Sequence, residues 1–149
     1  MIELICNNAY SNIKISLNIE ERITVIGGNS GSGKTLMFNA IKDANVNSMM
    51  VECNVDSSRF IILSDEEDIG KLTEINDMSI VFVDRYDSFG NDIKSQIWKK
   101  MKITNAIWII ATRNPDFPKG LCCSNRSFTE LKCDVINDVR QISIFHSYK

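Results

Sequence analysis

The run Gly28-Asn29-Ser30-Gly31-Ser32-Gly33-Lys34-Thr35 satisfies G-x-x-x-x-G-K-[ST] at every required position. No other stretch constrains the fold as much. In a loop of this kind the backbone amides can wrap around phosphate oxygens, and the glycines allow close approach and positive φ. Lys34 supplies a point positive charge for β- and γ-phosphates, and the Thr35 hydroxyl can reach a magnesium ion. Such a loop works only where a strand delivers the chain to it and a helix N-terminus follows.

The flanks meet that requirement. Ile23, Val25 and Ile26 form a short β-branched run ending at Gly27-Gly28, which reads as a buried strand opening into a tight turn. Beyond Thr35, apolar residues fall at Leu36, Met37, Ala40 and Ile41, with Asn39, Lys42 and Asp43 between them. That spacing gives one apolar helical face starting at the glycine loop. The reading is a site for a nucleoside triphosphate contacted by residues 28–35.

Composition narrows the class. A chain of 149 residues is read as a single domain over 1–149, with 44% hydrophobic and 24% charged residues, as in soluble globular proteins. The longest apolar run, Ala106 to Ala111, has the length of a buried strand and not of a membrane span. Met1-Ile2-Glu3-Leu4 lacks the basic start and long apolar stretch of a signal peptide, so a cytoplasmic setting without membrane association is expected. Nineteen acidic residues against seventeen basic ones give a net charge of −2, which disfavours nucleic acid as a partner. Lys94, Lys99, Lys100 and Lys102 cluster on a predicted helix and read as its solvated face. Five cysteines (6, 53, 122, 123 and 133) without a C-x-x-C pair suggest free thiols in a reducing compartment. Adjacent Cys122-Cys123, with Cys133 and His146, lack zinc-site spacing.

Along the chain, Ile2 to Cys6 and Ile13 to Ile19 read as an opening antiparallel pair. In the second, apolar Ile13, Ile15, Leu17 and Ile19 alternate with polar residues. Met49–Cys53 and Phe60–Leu63 are predicted short strands. Ser64-Asp65-Glu66-Glu67 fits a capping box that opens a helix with Ile69, Leu72 and Ile75 inward. The acidic residues of its first turn are structural on this reading. Ile80 to Val83 and Ala106 to Ala111 read as strands buried on both faces, separated by a helix over Asp92–Lys102. Pro115 and Pro118 bracket a loop, and a C-terminal hairpin turns around Ile136-Asn137-Asp138. No internal repeat or low-complexity linker interrupts this order.

Asp84, at the end of the run Ile80 to Val83, supplies a carboxylate where a triphosphate site needs one to hold magnesium opposite Thr35. The glycine loop and this strand-plus-aspartate are the Walker A and Walker B motifs, and over residues 24–44 and 79–87 the chain resembles the P-loop NTPase superfamily. The opening hairpin is similar to that of ABC-like and AAA-type ATPase cores. This resemblance implies a three-layer α/β sandwich with a mainly parallel central sheet and antiparallel strands at its N- and C-terminal ends. It also implies ATP and Mg2+ as ligands and ATP hydrolysis as the default reaction. Lys34 would contact phosphate, Thr35 and Asp84 would hold the metal, and Gly28, Asn29, Ser30, Gly31, Ser32 and Gly33 would form the cradle.

The departures from that family are specific. Arg85 stands where ABC-type ATPases place a water-orienting glutamate, the Leu-Ser-Gly-Gly signature is absent, and no helical lid sequence follows. Asp87 is the nearest carboxylate for a general base, although Asp87-Ser88-Phe89-Gly90 equally fits a turn cap. Thr112 or Asn114 could sense a γ-phosphate and Arg113 could stabilise transition-state charge, or all three could be loop surface. The leading expectation is a magnesium-dependent ATPase whose nucleotide state regulates a protein partner, or a second copy that completes the site. The alternatives are a small-molecule or nucleotide kinase, disfavoured by unclustered basic residues after Asp116, and a nucleotide-binding module without turnover.

Overall fold

The computed structural model describes residues 2–9, 11–27, 33–46, 51–113 and 126–148, the last segment partly as main chain alone. Among the described residues, nine strands form one sheet: β1 (Ile2–Asn8), β2 (Ile13–Ile19), β3 (Ile23–Gly27), β4 (Val51–Cys53), β5 (Phe60–Leu63), β6 (Ile80–Val83), β7 (Ile107–Ala111), β8 (Arg126–Ile136) and β9 (Val139–Tyr148). Two α-helices accompany them, α1 (Lys34–Val46) and α2 (Asn91–Ile103), with 3-10 segments at Ser57–Arg59, Glu66–Glu74 and Tyr86–Ser88.

The strand order is β4-β1-β2-β9-β8-β3-β7-β6-β5. The stretch β8-β3-β7-β6-β5 is parallel throughout. The remainder is mixed: β1 runs antiparallel to β2 and β4, β8 antiparallel to β9, and β9 parallel to β2. This corrects the expected mainly parallel P-loop NTPase sandwich. Antiparallel pairs do stand at the two sequence ends, β1 with β2 and β8 with β9, but they do not merely flank a parallel core. The N- and C-terminal hairpins instead join through the β2–β9 ladder into one continuous block, and the C-terminal hairpin lies in the sheet's interior. Joining the two hairpins pairs main-chain groups that each would otherwise leave exposed along an edge.

The layers differ between the halves as well. One cluster packs Met37, Phe38, Ala40, Ile41 and Ala44 of α1 against β1, β2, β5, β6 and β7. The second gathers Ile97 and Met101 of α2 with Leu72 and the opposite side chains of β3, β5, β6 and β7. Among the described residues, none from β1, β2, β4 or β9 joins this second cluster. Helices therefore cover both faces of the parallel half only. The strand sequences reflect it: β6 is buried at all four positions, whereas β2 alternates buried with exposed.

Two local expectations also change. The capping box forms one residue later than Ser64, with Asp65 as cap and Asp68 reaching back to its main chain, and the element it opens is 3-10 rather than α. Cys6 and Cys53 stand opposite each other in the β1–β4 ladder and are joined by a disulfide, so they are not the free thiols expected. Cys133 is free and exposed. Cys122 and Cys123, Asn114, and the loop prolines Pro115 and Pro118 lie outside the described residues, and the His146 side chain is likewise not described. Helix α2, Asn91–Ile103, contains the expected Asp92–Lys102 with Ile97 and Met101 buried.

Candidate functional site

Strands β3, β7 and β6 are parallel neighbours, so their C-terminal ends reach the same edge of the sheet. Ligand clefts of open α/β sheets form outside such ends. Here the chain leaves β3 toward Gly33, β6 toward Asp84, and β7 toward Thr112. Gly33, Lys34, Thr35 and Leu36 line one cleft together with Asp84, Arg85, Asp87, Ala111, Thr112 and Arg113. Its volume is about 570 Å³, counting the part open to solvent, within the usual range for small-ligand sites.

Helix α1 begins at this cleft. The Met37 N–H donates to the Gly33 carbonyl at 2.9 Å, which makes Gly33 the residue that caps the first turn. Gly33 has φ +99°, and a Cβ there would stand 3.4 Å from Cβ of Cys133 on β8. The dihedral favours glycine, while the contact by itself is an ordinary van der Waals one. The first turn of α1 carries no acidic residue, so the positive end of the helix dipole is not offset there. Lys34 is half-buried and Thr35 exposed. Gly28, Asn29, Ser30, Gly31 and Ser32 lie outside the described residues.

Asp84 continues β6 through a bond from its N–H to the Leu63 carbonyl at 2.8 Å, and it is buried. Burial raises its carboxyl pKa above the ordinary value. The charges of Arg85, Lys42 and Lys34 and a hydrogen bond from the Arg85 main chain pull the other way. The Arg85 Nε lies 3.9 Å from Asp84 Oδ2, and its side chain is 60% exposed, so this pair holds the carboxylate only loosely. Arg85 adopts a left-handed conformation (φ 51°, ψ 51°), which is uncommon for a residue with a side chain and turns the chain sharply into Tyr86–Ser88.

Asp87 braces the opposite wall. Its Oδ1 accepts the Arg113 N–H at 3.1 Å and the Thr112 hydroxyl at 3.4 Å. Thr112 in turn donates its N–H to the Ile26 carbonyl at 3.1 Å, extending the β3–β7 ladder into the cleft. The three strand ends are thus tied to one another by main-chain and carboxylate bonds. Of the two readings the sequence left open for Asp87, turn cap and base, the geometry displays a bracing role.

The cleft thus brings together Lys34, Thr35, Asp84, Asp87 and Arg113, residues that stand far apart along the chain. Three cationic side chains face two carboxylates there, a balance that suits a polyanionic ligand carrying a divalent cation. Among the described residues, no group of three or more His, Cys, Asp or Glu side chains could hold a metal alone. A hydroxyl and one carboxylate instead match magnesium's habit of taking its other ligands from phosphate and water. Sequence reasoning missed Lys42, whose charge reaches Asp84 from α1. In the sequence Lys42 is only a polar position between apolar ones, and no motif marks it.

No protein-family model matches the chain, and no curated protein matches it. Among the described residues, no helix is long and apolar enough to cross a membrane.

Proposed function

We propose that this chain binds a nucleoside triphosphate, ATP in the first instance, together with Mg2+, and hydrolyses it slowly. The observation that carries this reading is the meeting of Gly33-Lys34-Thr35, at an uncompensated helix N-terminus, with the buried carboxylate of Asp84 in one cleft. The Walker-type sequence of residues 28–35 supports it independently. Lys34 neutralises β- and γ-phosphate charge, and Thr35 and Asp84 hold the metal. Arg113 offsets charge that develops as water attacks. Catalysis of this kind is electrostatic, so the nucleotide state, and with it a protein partner, changes slowly unless a further group orients the water.

A nucleotide-binding module without turnover is the second reading. It is favoured by Asp87, whose carboxylate is engaged by Thr112 and Arg113, and by the cation Arg85 next to Asp84. Measuring nucleotide binding and phosphate release from ATP and GTP, with and without Mg2+, separates the two. Metal-dependent binding that Lys34→Ala abolishes is expected, with slow phosphate release for the ATPase and none for the module. Equal binding by the native chain and Lys34→Ala would remove both readings.

A further inference from the structure

The carboxylate of Asp84 meets Arg85 in two ways. The Arg85 main-chain N–H donates a hydrogen bond to it, and the Arg85 Nε stands 3.9 Å from Asp84 Oδ2. In an extended strand, adjacent residues send their side chains to opposite faces. The left-handed backbone of Arg85 (φ 51°, ψ 51°) breaks that alternation just past β6, and both side chains line the same cleft. The Asp84 side chain is 11% exposed and that of Arg85 60%, so the guanidinium lies on the solvent side of the carboxylate. Arg85 acts on Asp84 more strongly than Lys42 or Lys34 does. The other carboxylate of the cleft, Asp87, is turned instead to the Arg113 N–H and the Thr112 hydroxyl.

This placement has a consequence for metal entry. Magnesium binds a carboxylate oxygen at about 2.1 Å and keeps water or phosphate oxygens around itself. A guanidinium 3.9 Å from the same oxygen takes up part of that space and repels the ion. Arginine keeps its charge at any pH a folded protein meets, so it cannot step aside by losing a proton. It has to swing away. An ion pair as exposed as this one is weak, so the movement is opposed without being prevented.

We infer that Arg85 is a tethered competitor of the divalent cation: in the ligand-free chain its guanidinium stands against Asp84, and metal enters as that side chain swings out. Arg85 thereby sets how much magnesium the cleft requires. It holds neither the metal nor a reacting atom, and is a positioning residue. The inference rests on the magnesium–nucleotide reading of the cleft and adds to it a residue that governs when the metal is taken up.

The test titrates Mg2+ into the full chain at a fixed concentration of a fluorescent, non-hydrolysable ATP analogue and reads the midpoint of analogue binding. Arg85→Gln removes the charge but keeps a side chain under the same left-handed constraint. It is expected to lower the midpoint by about twofold to fivefold, the range an exposed ion pair supplies. Arg85→Lys retains the charge and is expected to stay close to the native midpoint. Arg85→Gly relieves the backbone and is expected to match Arg85→Gln, because charge and not the turn sets the midpoint. Added KCl screens the pair, so the native and Arg85→Gln midpoints are expected to converge. Thermal unfolding of each variant confirms that the fold is retained. An unchanged or raised midpoint in Arg85→Gln overturns the inference, as does an equal fall in Arg85→Lys or a gap that salt does not narrow. Any of these, with analogue binding that Lys34→Ala abolishes, leaves the nucleotide reading standing. Analogue binding that is equal in the native chain and Lys34→Ala removes that reading and this inference together.

Discussion

At residue scale, the cleft depends on a carboxylate held where it is least comfortable. Asp84 is buried, and burial raises its pKa in the folded state. For an acid this has a definite sign: the folded chain holds the proton more tightly, so stability declines as pH rises from the unfolded-state pKa through the folded one. Above that window the ionised group is a net burden on folding, which a magnesium ion would relieve. Asp84→Asn is therefore expected to raise Tm at neutral pH, by roughly 2–4 °C if about 1 kcal/mol is recovered, while abolishing magnesium-dependent nucleotide binding. Thermal unfolding with a parallel binding titration checks both. A variant that is less stable and still binds would show that Asp84 serves the fold and not a metal. The sequence allowed this residue to be singled out because an aspartate ended a continuous apolar run. It could not reveal that Asp87 would be drawn to the Arg113 N–H, since that bond joins residues 26 positions apart.

At the scale of elements, the strands and helices were largely legible where a single period dominates. The run 80–83, residues 107–111 of the run 106–111 and the alternation of 13–19 are strands, and the 3.6 spacing of Ile93, Ile97 and Met101 falls in α2. The segment after Asp65 was harder, because Gly70 lies within it and weakens a helix, and it winds as 3-10 with Ile69 exposed at 39%. What fastens α2 to the wall of the cleft is also non-local: the Trp98 Nε1–H donates to the Tyr86 hydroxyl, and Lys94 lies 5.4 Å above the Tyr86 ring. Tyr86 is buried, and burial pushes its phenol from the ordinary 10.0 up to about 12. The unfolded chain therefore ionises first on raising the pH, and folded stability is lost between about 10 and about 12. Tyr86→Phe is expected to cost about 1 kcal/mol at neutral pH by leaving the indole N–H without this acceptor. It is also expected to flatten the alkaline decline. Urea unfolding at neutral pH and above pH 10 measures both; an unchanged alkaline slope would assign that decline to other groups.

At the scale of the whole molecule, sequence pattern identifies strands but not their partners, because pairing joins residues far apart in the chain. The β2–β9 ladder links Ile13 to Arg140, and nothing local in either strand specifies the other. For that reason the expected parallel sheet with antiparallel ends gave way to a sheet whose two hairpins merge. The same non-locality hid the Cys6–Cys53 link. An odd cysteine count argued for free thiols, yet β1 and β4 bring these two directly opposite, with Cα atoms 4.2 Å apart. The bond pins β4, a three-residue edge strand that is otherwise tied to β1 by its short ladder and by Asn54, whose side chain bonds the Ile5 N–H and the Glu3 carbonyl. It also closes a loop spanning 47 positions that contains the whole of α1 and the glycine loop. Restricting that loop in the unfolded chain is worth up to about 4 kcal/mol on the chain-entropy view. Reduction by a thiol is therefore expected to lower Tm by roughly 10 °C, with Cys53→Ser reproducing the shift without reductant. Because the loop includes Lys34 and Thr35, the same treatment is expected to weaken nucleotide binding only near the lowered Tm and to leave it intact well below. Weakening at every temperature would mean that β4 positions α1 directly, and an unchanged Tm would mean that the ladder and Asn54 hold the edge without the sulfur bridge.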